Sequence, residues 1–403
     1  MAIENFIAGI NPRTAFFVIF LGALSAFLWR DRNQIQRHYI LFYRRTKRGL
    51  NLIDRIAARA PRFWKYYGAA AVVTGVISIA ASFGLTAQMF FEMFRTQTVQ
   101  SGPSLIAPGL SGDVSFQPGV SFVPVEYWLF AIGVLSVVHE FSHGIVARTE
   151  GFNLNSVGWA IFGIFPAAFV EPEGEQMLPG EEEEGGEDRE LWHGGNWYSR
   201  LKVLCAGSFA NYLTAAVFIL FAMGVSAGAT VPETTGYMGI NFGLNEEGEL
   251  GYVAQEGYPA YESGMRNGTL EAINGQNITS VEDLRNFSEG LEANRTVTLE
   301  TSEGGFQFKT TENTVSRLKE GLEPYASGLN WFTTGLFTVG ILNLLIGLFN
   351  MLPIKPLDGG WALEALIENY LGEERTHWVN KLSLAMWALL LATLVVTIGG
   401  LVI

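Results

Sequence analysis

The sequence predicts a polytopic α-helical membrane protein with about six transmembrane helices and one soluble block of α+β pattern. Three observations predict it. Of 403 residues, 49% are hydrophobic and only 16% are charged, against about 25% charged in soluble domains. The mean hydropathy is positive, at +0.22. The apolar residues also gather into long blocks between polar stretches, which is the pattern of repeated bilayer crossing.

Six blocks are long enough, or nearly so, to cross: 12–29, 67–91, 125–148, 199–226, 329–352 and 377–402. An untilted crossing needs about 20 residues. The first block is short, and Arg30 and Arg32 follow it rather than precede it. A cleaved signal peptide has the reverse order, so this block reads as a retained anchor. From Arg30 to Lys65 stand eleven Lys/Arg against two acids, Asp31 and Asp54. The positive-inside rule keeps such a loop cytoplasmic. Threading from there puts both termini, the 95–124 loop and the soluble block 230–325 outside. The later inward loops carry Arg189, Arg200, Lys202, Lys355, Arg375 and Lys381, in agreement. Within the basic loop, Leu50, Ile53 and Ile56 recur at helical spacing beside Arg48, Arg55 and Arg59. That pattern reads either as a helix on an anionic membrane surface or as an ordinary topogenic loop.

A formal charge of −13 excludes nucleic acid as a partner, because phosphate binding needs clustered Lys and Arg. The single cysteine, Cys205, excludes an internal disulfide and a cysteine-based metal site.

Chemistry enters in the third block, at His139-Glu140-Phe141-Ser142-His143. Helical residues four apart share a face about 6 Å apart along the axis, so the two imidazoles can grip one Zn²⁺. Glu140 between them can reach a metal-bound water as general base. Ionisable groups in an apolar span are costly and mark function by default; the alternative is a polar cluster gluing helices together. The fifth block ends in Asn350-Met351-Leu352-Pro353-Ile354-Lys355-Pro356-Leu357-Asp358-Gly359-Gly360. Two prolines and two glycines break the helix there, which a membrane tolerates only inside protein or at a cavity. An acid at such a break is placed to complete a His₂–carboxylate zinc site with an open fourth position.

The pairing of HEFSH with Asn350-x-x-Pro353-x-x-x-x-Asp358-Gly359, in two hydrophobic segments, resembles the site-2 protease family of intramembrane zinc metalloproteases. The resemblance implies one zinc per chain, held by His139, His143 and Asp358, with Glu140 as the base. It implies a three-helix catalytic core, for which Gly207-Ser208-Phe209-Ala210-Asn211 matches the middle-helix segment. Asn350 would then hold the substrate backbone or steady the oxyanion, or else cap a broken helix. Gly207 and Asn211 read as substrate contacts or as a close helix approach. The likeness covers about 125–228 and 329–375. The N-terminal 1–124 region, two spans and the basic loop, is an addition that fits packing or gating.

From Gly151 to Glu173 the chain alternates Val157, Trp159, Ile161 and Phe165 before Pro166-Ala167-Ala168-Phe169-Val170. It is too short and β-like for a span. In the family a similar stretch is a re-entrant β segment whose edge pairs with substrate, which makes Ala167 and Phe169 candidate contacts; the alternative is an interfacial hairpin. Glu181–Glu184 with Glu187 and Asp188 read as a solvated loop, and His193, without an i+3 or i+4 partner, as no ligand.

The block 229–325 resembles the bacterial-type PDZ domain often inserted in this family, with a helix over Val281 to Leu291 and a strand over Arg295 to Thr301. Tyr237 to Ile240 would match the loop cradling a peptide carboxylate, making Tyr237 and Gly239 candidate contacts for peptide termini; a size filter is the alternative. The acid usual after Gly268 is Thr269 here. The chain then divides into 1–124, the first core part 125–228, the PDZ-like block 229–325, and the second core part with the last span, 326–403. The expected partners are transmembrane protein substrates and the lipid bilayer. The expected location is the cell membrane, with the active site toward the cytoplasmic side. Two other readings share the residues: an intramembrane zinc transporter, and a PDZ scaffold without protease activity.

Overall fold

A computed structural model describes residues 12–38, 41–96, 105–110, 115–117, 120–162, 165–172, 196–244, 249–319 and 321–399. The acidic run from Glu181 to Asp188 and His193 lie outside the described residues. The chain forms two compact units, Met1–Ala222 with Phe332–Ile403, and Met223–Trp331.

The first unit opens with α1 (Pro12–Asp31), β1 (Gln36–His38), β2 (Leu41–Thr46), α2 (Leu50–Arg59) and α3 (Pro61–Thr96). A small sheet follows, built of β3 (Leu105–Gly109), β4 (Ser115–Gln117) and β5 (Val120–Pro124) in the order β3-β5-β4. β5 leads straight into α4 (Val125–Glu150). That helix stops at Gly151, whose left-handed φ of 91° turns Phe152 N–H back onto Ala147 O at 2.9 Å, a glycine C-terminal cap. The hairpin β6 (Leu154–Phe162) and β7 (Phe165–Pro172) comes next, then α5 (Trp197–Ala229).

The basic loop is part of this architecture. β2 pairs antiparallel with β6, Leu41 opposite Phe162 through Thr46 opposite Val157, giving a four-stranded sheet in the order β1-β2-β6-β7. Amphipathic α2 buries much of its apolar face against protein. Leu50, Ile53 and Ala57 are buried in one cluster with Ile145, Val146, Leu154, Val157 and Val170. α3 is likewise packed on the core: Gly75 lies against Cys205, Tyr212 donates to Ser78 Oγ at 2.9 Å, and Ser82 Oγ donates to Met351 O at 3.2 Å.

The second unit takes in the end of α5 from Met223, which leads into β8 (Thr230–Tyr237). Then come β9 (Ile240–Leu244), β10 (Leu250–Ala254), α6 (Pro259–Glu262), β11 (Asn267–Ile273), β12 (Gln276–Asn277), α7 (Val281–Glu289), β13 (Thr296–Thr301), β14 (Gly304–Lys309) and β15 (Thr311–Leu318). The main sheet runs β14-β13-β11-β10-β9, with β12 on β11, over a core that includes Ile240, Tyr252, Met265, Ile273 and Leu299. β8 and β15 form a separate ribbon, paired from Thr230 opposite Leu318 to Tyr237 opposite Thr311. α7 begins with a reciprocal Ser280–Asp283 capping box. Hydrogen bonds from Ser280 and Thr279 hold the Asp283 carboxyl below its ordinary value.

The chain returns through α8 (Ala326–Asn350), α9 (Asp358–Leu371) and α10 (His377–Gly399). Six of these helices, α1, α3, α4, α5, α8 and α10, contain segments long and apolar enough to cross a bilayer. α3 starts at Pro61 rather than near 67, because hydropathy marks bilayer thickness and the helix runs on through Arg62 and Lys65. α5 and α8 meet along a seam of small residues, with Gly340 against Ala215 and Ile219, and Gly347 against Asn211 and Tyr212. Such residues let membrane helices approach closely.

Candidate metal centre

α4 carries His139 and His143 one turn apart, with both rings turned toward α5. Gly207 of α5 makes room for them: a Cβ there would lie 2.6 Å from His139 Cε1 and strike His143 Nε2. The third group arrives from the broken span. α8 ends at Asn350, and residues 351–357 fold into a tight loop whose first four residues, Met351 to Ile354, are buried, while Pro356 is exposed. The freed backbone groups are satisfied inside the protein, as a bilayer demands. Leu357 N–H reaches Ile354 O at 3.0 Å, Lys355 N–H reaches Ser383 Oγ at 2.9 Å, and Trp387 Nε1 reaches Lys355 O at 2.9 Å. Gly359 then packs on the Met351 carbonyl, where a Cβ would collide, and this turns Asp358 back onto the two histidines.

Three donor atoms meet there. His139 Nε2 and His143 Nε2 lie 3.1 Å apart, and Asp358 Oδ2 is 3.2 Å from each. Three donors at about 2.0–2.1 Å from one tetrahedral ion would be roughly 3.3–3.4 Å apart, so the near-equilateral triangle fits a zinc-sized ion. The donor chemistry fits as well. His143 Nδ1 faces Val203 O at 2.7 Å, which fixes its proton there and leaves Nε2 free to ligate. Among the described residues this is the one group of three or more His, Cys, Asp or Glu able to hold a metal. It offers three protein ligands, the number of an open catalytic site.

Glu140 stands outside the triangle. Its Oε2 accepts the Val170 N–H of β7 at 3.1 Å. Asn350 Nδ2 donates to Asp358 Oδ2 at 2.6 Å and lies 3.1 Å from His139 Nε2, so it borders the triangle directly. Asn211 is wholly buried, with Nδ2 3.1 Å from His139 Nδ1. That atom is on the ring edge away from the triangle. At Gly207 the Cβ direction is filled by the two histidine rings. On β7, Ala167 is exposed. Phe169 is buried against Tyr43 and Ala160. Tyr237 and Gly239 belong to the second unit. Tyr237 donates to Gln255 Oε1 at 3.0 Å and stacks edge-on with Tyr258 at 5.3 Å. Gly239 is buried, with φ of +74°.

Sequence reasoning missed the supports of the centre. Tyr67 shares a 2.9 Å hydrogen bond with Ser142, whose Oγ donates to Ala206 O at 2.9 Å; this ties α3, α4 and α5 together. Glu171, buried on β7, takes Arg45 Nε at 3.1 Å and Nη2 at 3.2 Å, with Ser156 Oγ at 2.8 Å. An acid inside an apolar β-like stretch was the available signal, since a buried carboxylate needs a partner.

Comparison with known proteins places this geometry. The profile of peptidase family M50 matches residues 127–394, two thirds of the chain, including both histidines, Glu140, Asn350 and Asp358. The chain belongs to peptidase family M50. This is the site-2 protease family, and its members are zinc-dependent. As an M50 protein the chain is a membrane metallopeptidase. It is also similar to the uncharacterized protein MJ0971 of Methanocaldococcus jannaschii, 22% identical over 342 residues, which are 84% of this chain and 80% of that protein.

Proposed function

We propose that this M50 member is an intramembrane zinc metalloprotease that hydrolyses peptide bonds in or near transmembrane segments of other membrane proteins. The observation that carries the reading is the His139–His143–Asp358 triangle with a neighbouring carboxylate, Glu140, that is not part of it, the two histidines and Glu140 lying within an apolar spanning helix. A zinc ion held by these three residues supplies Lewis acidity and lowers the pKa of a water. Glu140 takes the proton of the attacking water and delivers it to the leaving amine, with its carboxylate aimed by the Val170 N–H. Asn350 offers amide hydrogens at the edge of the triangle, where they steady the carbonyl oxygen as charge develops or hold the substrate backbone.

A helix must be unwound before its peptide bonds can be attacked, and β7 suits this task. It is an edge strand, and its Val170 N–H points off the edge to Glu140. By the period of a strand, the next outward groups on that edge belong to Ala168, about 6.6 Å away. An extended substrate pairing with Ala168 would run past Glu140. The four-stranded sheet in this way supports the role expected for the segment around Ala167. The basic loop supports a cytoplasmic position for the sheet side of the centre, and regulated intramembrane proteolysis is the corresponding biological role. The second unit would act as a PDZ-like module outside the cytoplasm, taking peptide termini at Tyr237–Ile240 or filtering substrates by size.

The test is cleavage of a single-span substrate panel by the purified, detergent-solubilised protein, beside Glu140→Gln, with zinc content measured in both. The expected result is one zinc in each and cleavage by the unmodified chain alone. Cleavage by the zinc-loaded variant at the original rate would end the mechanism. Zinc in both with no cleavage of any span would favour transport or scaffolding.

A further inference from the structure

We infer that Asn211 is a positioning residue for the metal centre: its side-chain oxygen, not its nitrogen, faces His139 and fixes which ring nitrogen that histidine offers to the ion. The inference rests on the metal-centre reading above and goes beyond it. His139 presents Nε2 to His143, Asp358 and Asn350. A neutral imidazole that ligates through Nε2 carries its proton on Nδ1. That N–H needs an acceptor, because Asn211 is wholly buried and His139 nearly so. With the amide as drawn, Nδ2 sits 3.1 Å from Nδ1, so two donors oppose each other. At the same time Asn211 Oδ1 is buried without a hydrogen-bond partner. Amide oxygen and nitrogen are exchanged by a half-turn about the last side-chain bond, and the hydrogen-bond network decides between them. The half-turn removes the donor–donor opposition and gives Oδ1 a partner, since Nδ1–H then donates to it, while Nδ2 takes the place that Oδ1 held.

Gly207, one turn earlier on α5, admits the histidine rings, and Gly347 of α8 brings its backbone against the Asn211 side chain. The two histidines are therefore oriented by different means. His143 uses the carbonyl of Val203, which no side-chain substitution removes. His139 depends on a side chain.

The experiment is zinc affinity of the full-length, detergent-purified chain by chelator competition, with the Co²⁺-substituted absorption spectrum as a second reading of ligand geometry. Asn211→Leu keeps the shape and loses the acceptor; Asn211→Asp keeps the acceptor. The leucine variant is expected to bind zinc about 10–100-fold more weakly, the usual cost of losing an outer partner of a metal-bound histidine. The aspartate variant is expected to stay within a few-fold of the unmodified chain. Should the leucine chain not fold, Asn211→Ala carries the same comparison. Unchanged affinity and spectrum in the leucine or alanine variant would overturn the inference. So would an aspartate variant as weak as leucine. Neither reading involves a substrate, so failure here and failure of the protease reading are separate outcomes.

Discussion

Replacing Arg45 with Met would test whether the N-terminal basic loop is a working part of the catalytic sheet. The guanidinium meets Glu171 through two nitrogens at 3.1 and 3.2 Å, with side-chain exposures of 17% for Arg45 and 2% for Glu171. Removing one partner of a buried pair costs about 3–5 kcal/mol, because a charge is left in a poor solvent. The lower end, about 3 kcal/mol, applies here. Arg45 keeps some exposure, and Ser156 Oγ remains on Glu171. Such a loss lowers the folded-to-unfolded ratio roughly 150-fold. The double variant Arg45→Met with Glu171→Leu removes both charges and should recover most of it. Cys205 makes the assay direct: as the single, fully buried cysteine, it reacts with a thiol-specific dye only when the core opens. Thermal unfolding in detergent would be followed that way for the parent, single and double variants. The reasoning fails if the single variant melts with the parent, or if the double variant melts below the single. Because Val170 is the residue before Glu171, cleavage by the single variant should fall through kcat more than through KM.

Three further outcomes follow from the packing. Gly207→Ala puts a methyl group where both histidine rings sit, so zinc content should drop well below one per chain while the helices still assemble; elemental analysis checks it. Ile53→Ala empties a fully buried site beneath α4 and the hairpin and should cost about 2–4 kcal/mol, read by the same thiol assay. A helix merely resting on lipid would show almost no change. Asp283 has a carboxyl pKa lowered by its capping bonds, so its stabilising effect is present above the unfolded value and fades as pH falls through the folded one. Asp283→Asn should therefore remove pH dependence of amide exchange in α7 over that acid window, with little change elsewhere.

The parts of this molecule legible in the sequence are those set by local chemistry. A run of about 20 apolar residues crosses a bilayer whatever its neighbours, so the six helices could be placed, although their ends could not. His139 and His143 share a face by helical spacing alone. The partner Asp358 is more than two hundred residues away, and the break at Pro353 and Pro356 pointed to it through chain irregularity and family likeness. What stayed hidden depends on partner choice. The periodicity of Leu50 and Ile53 shows that α2 has an apolar face, but not that Ile145 and Val157 cover it. β1 and β2 are three and six residues long, too short to announce themselves, and their pairing with β6 is nonlocal. The Val170 N–H on Glu140 is a backbone group, invisible to any reading of side chains.

The ribbon of β8 and β15 has an architectural consequence. Thr230 faces Leu318 across one strand spacing, about 4.8 Å, so the chain enters and leaves the β8–β15 block at almost the same point. Everything between can then be treated as a cassette. A short turn joining the two strands would close the gap, and a different module with adjacent ends could take its place. An ancestor could have gained, exchanged or shed this block in one recombination event, and a present-day engineer could do the same with a single deletion.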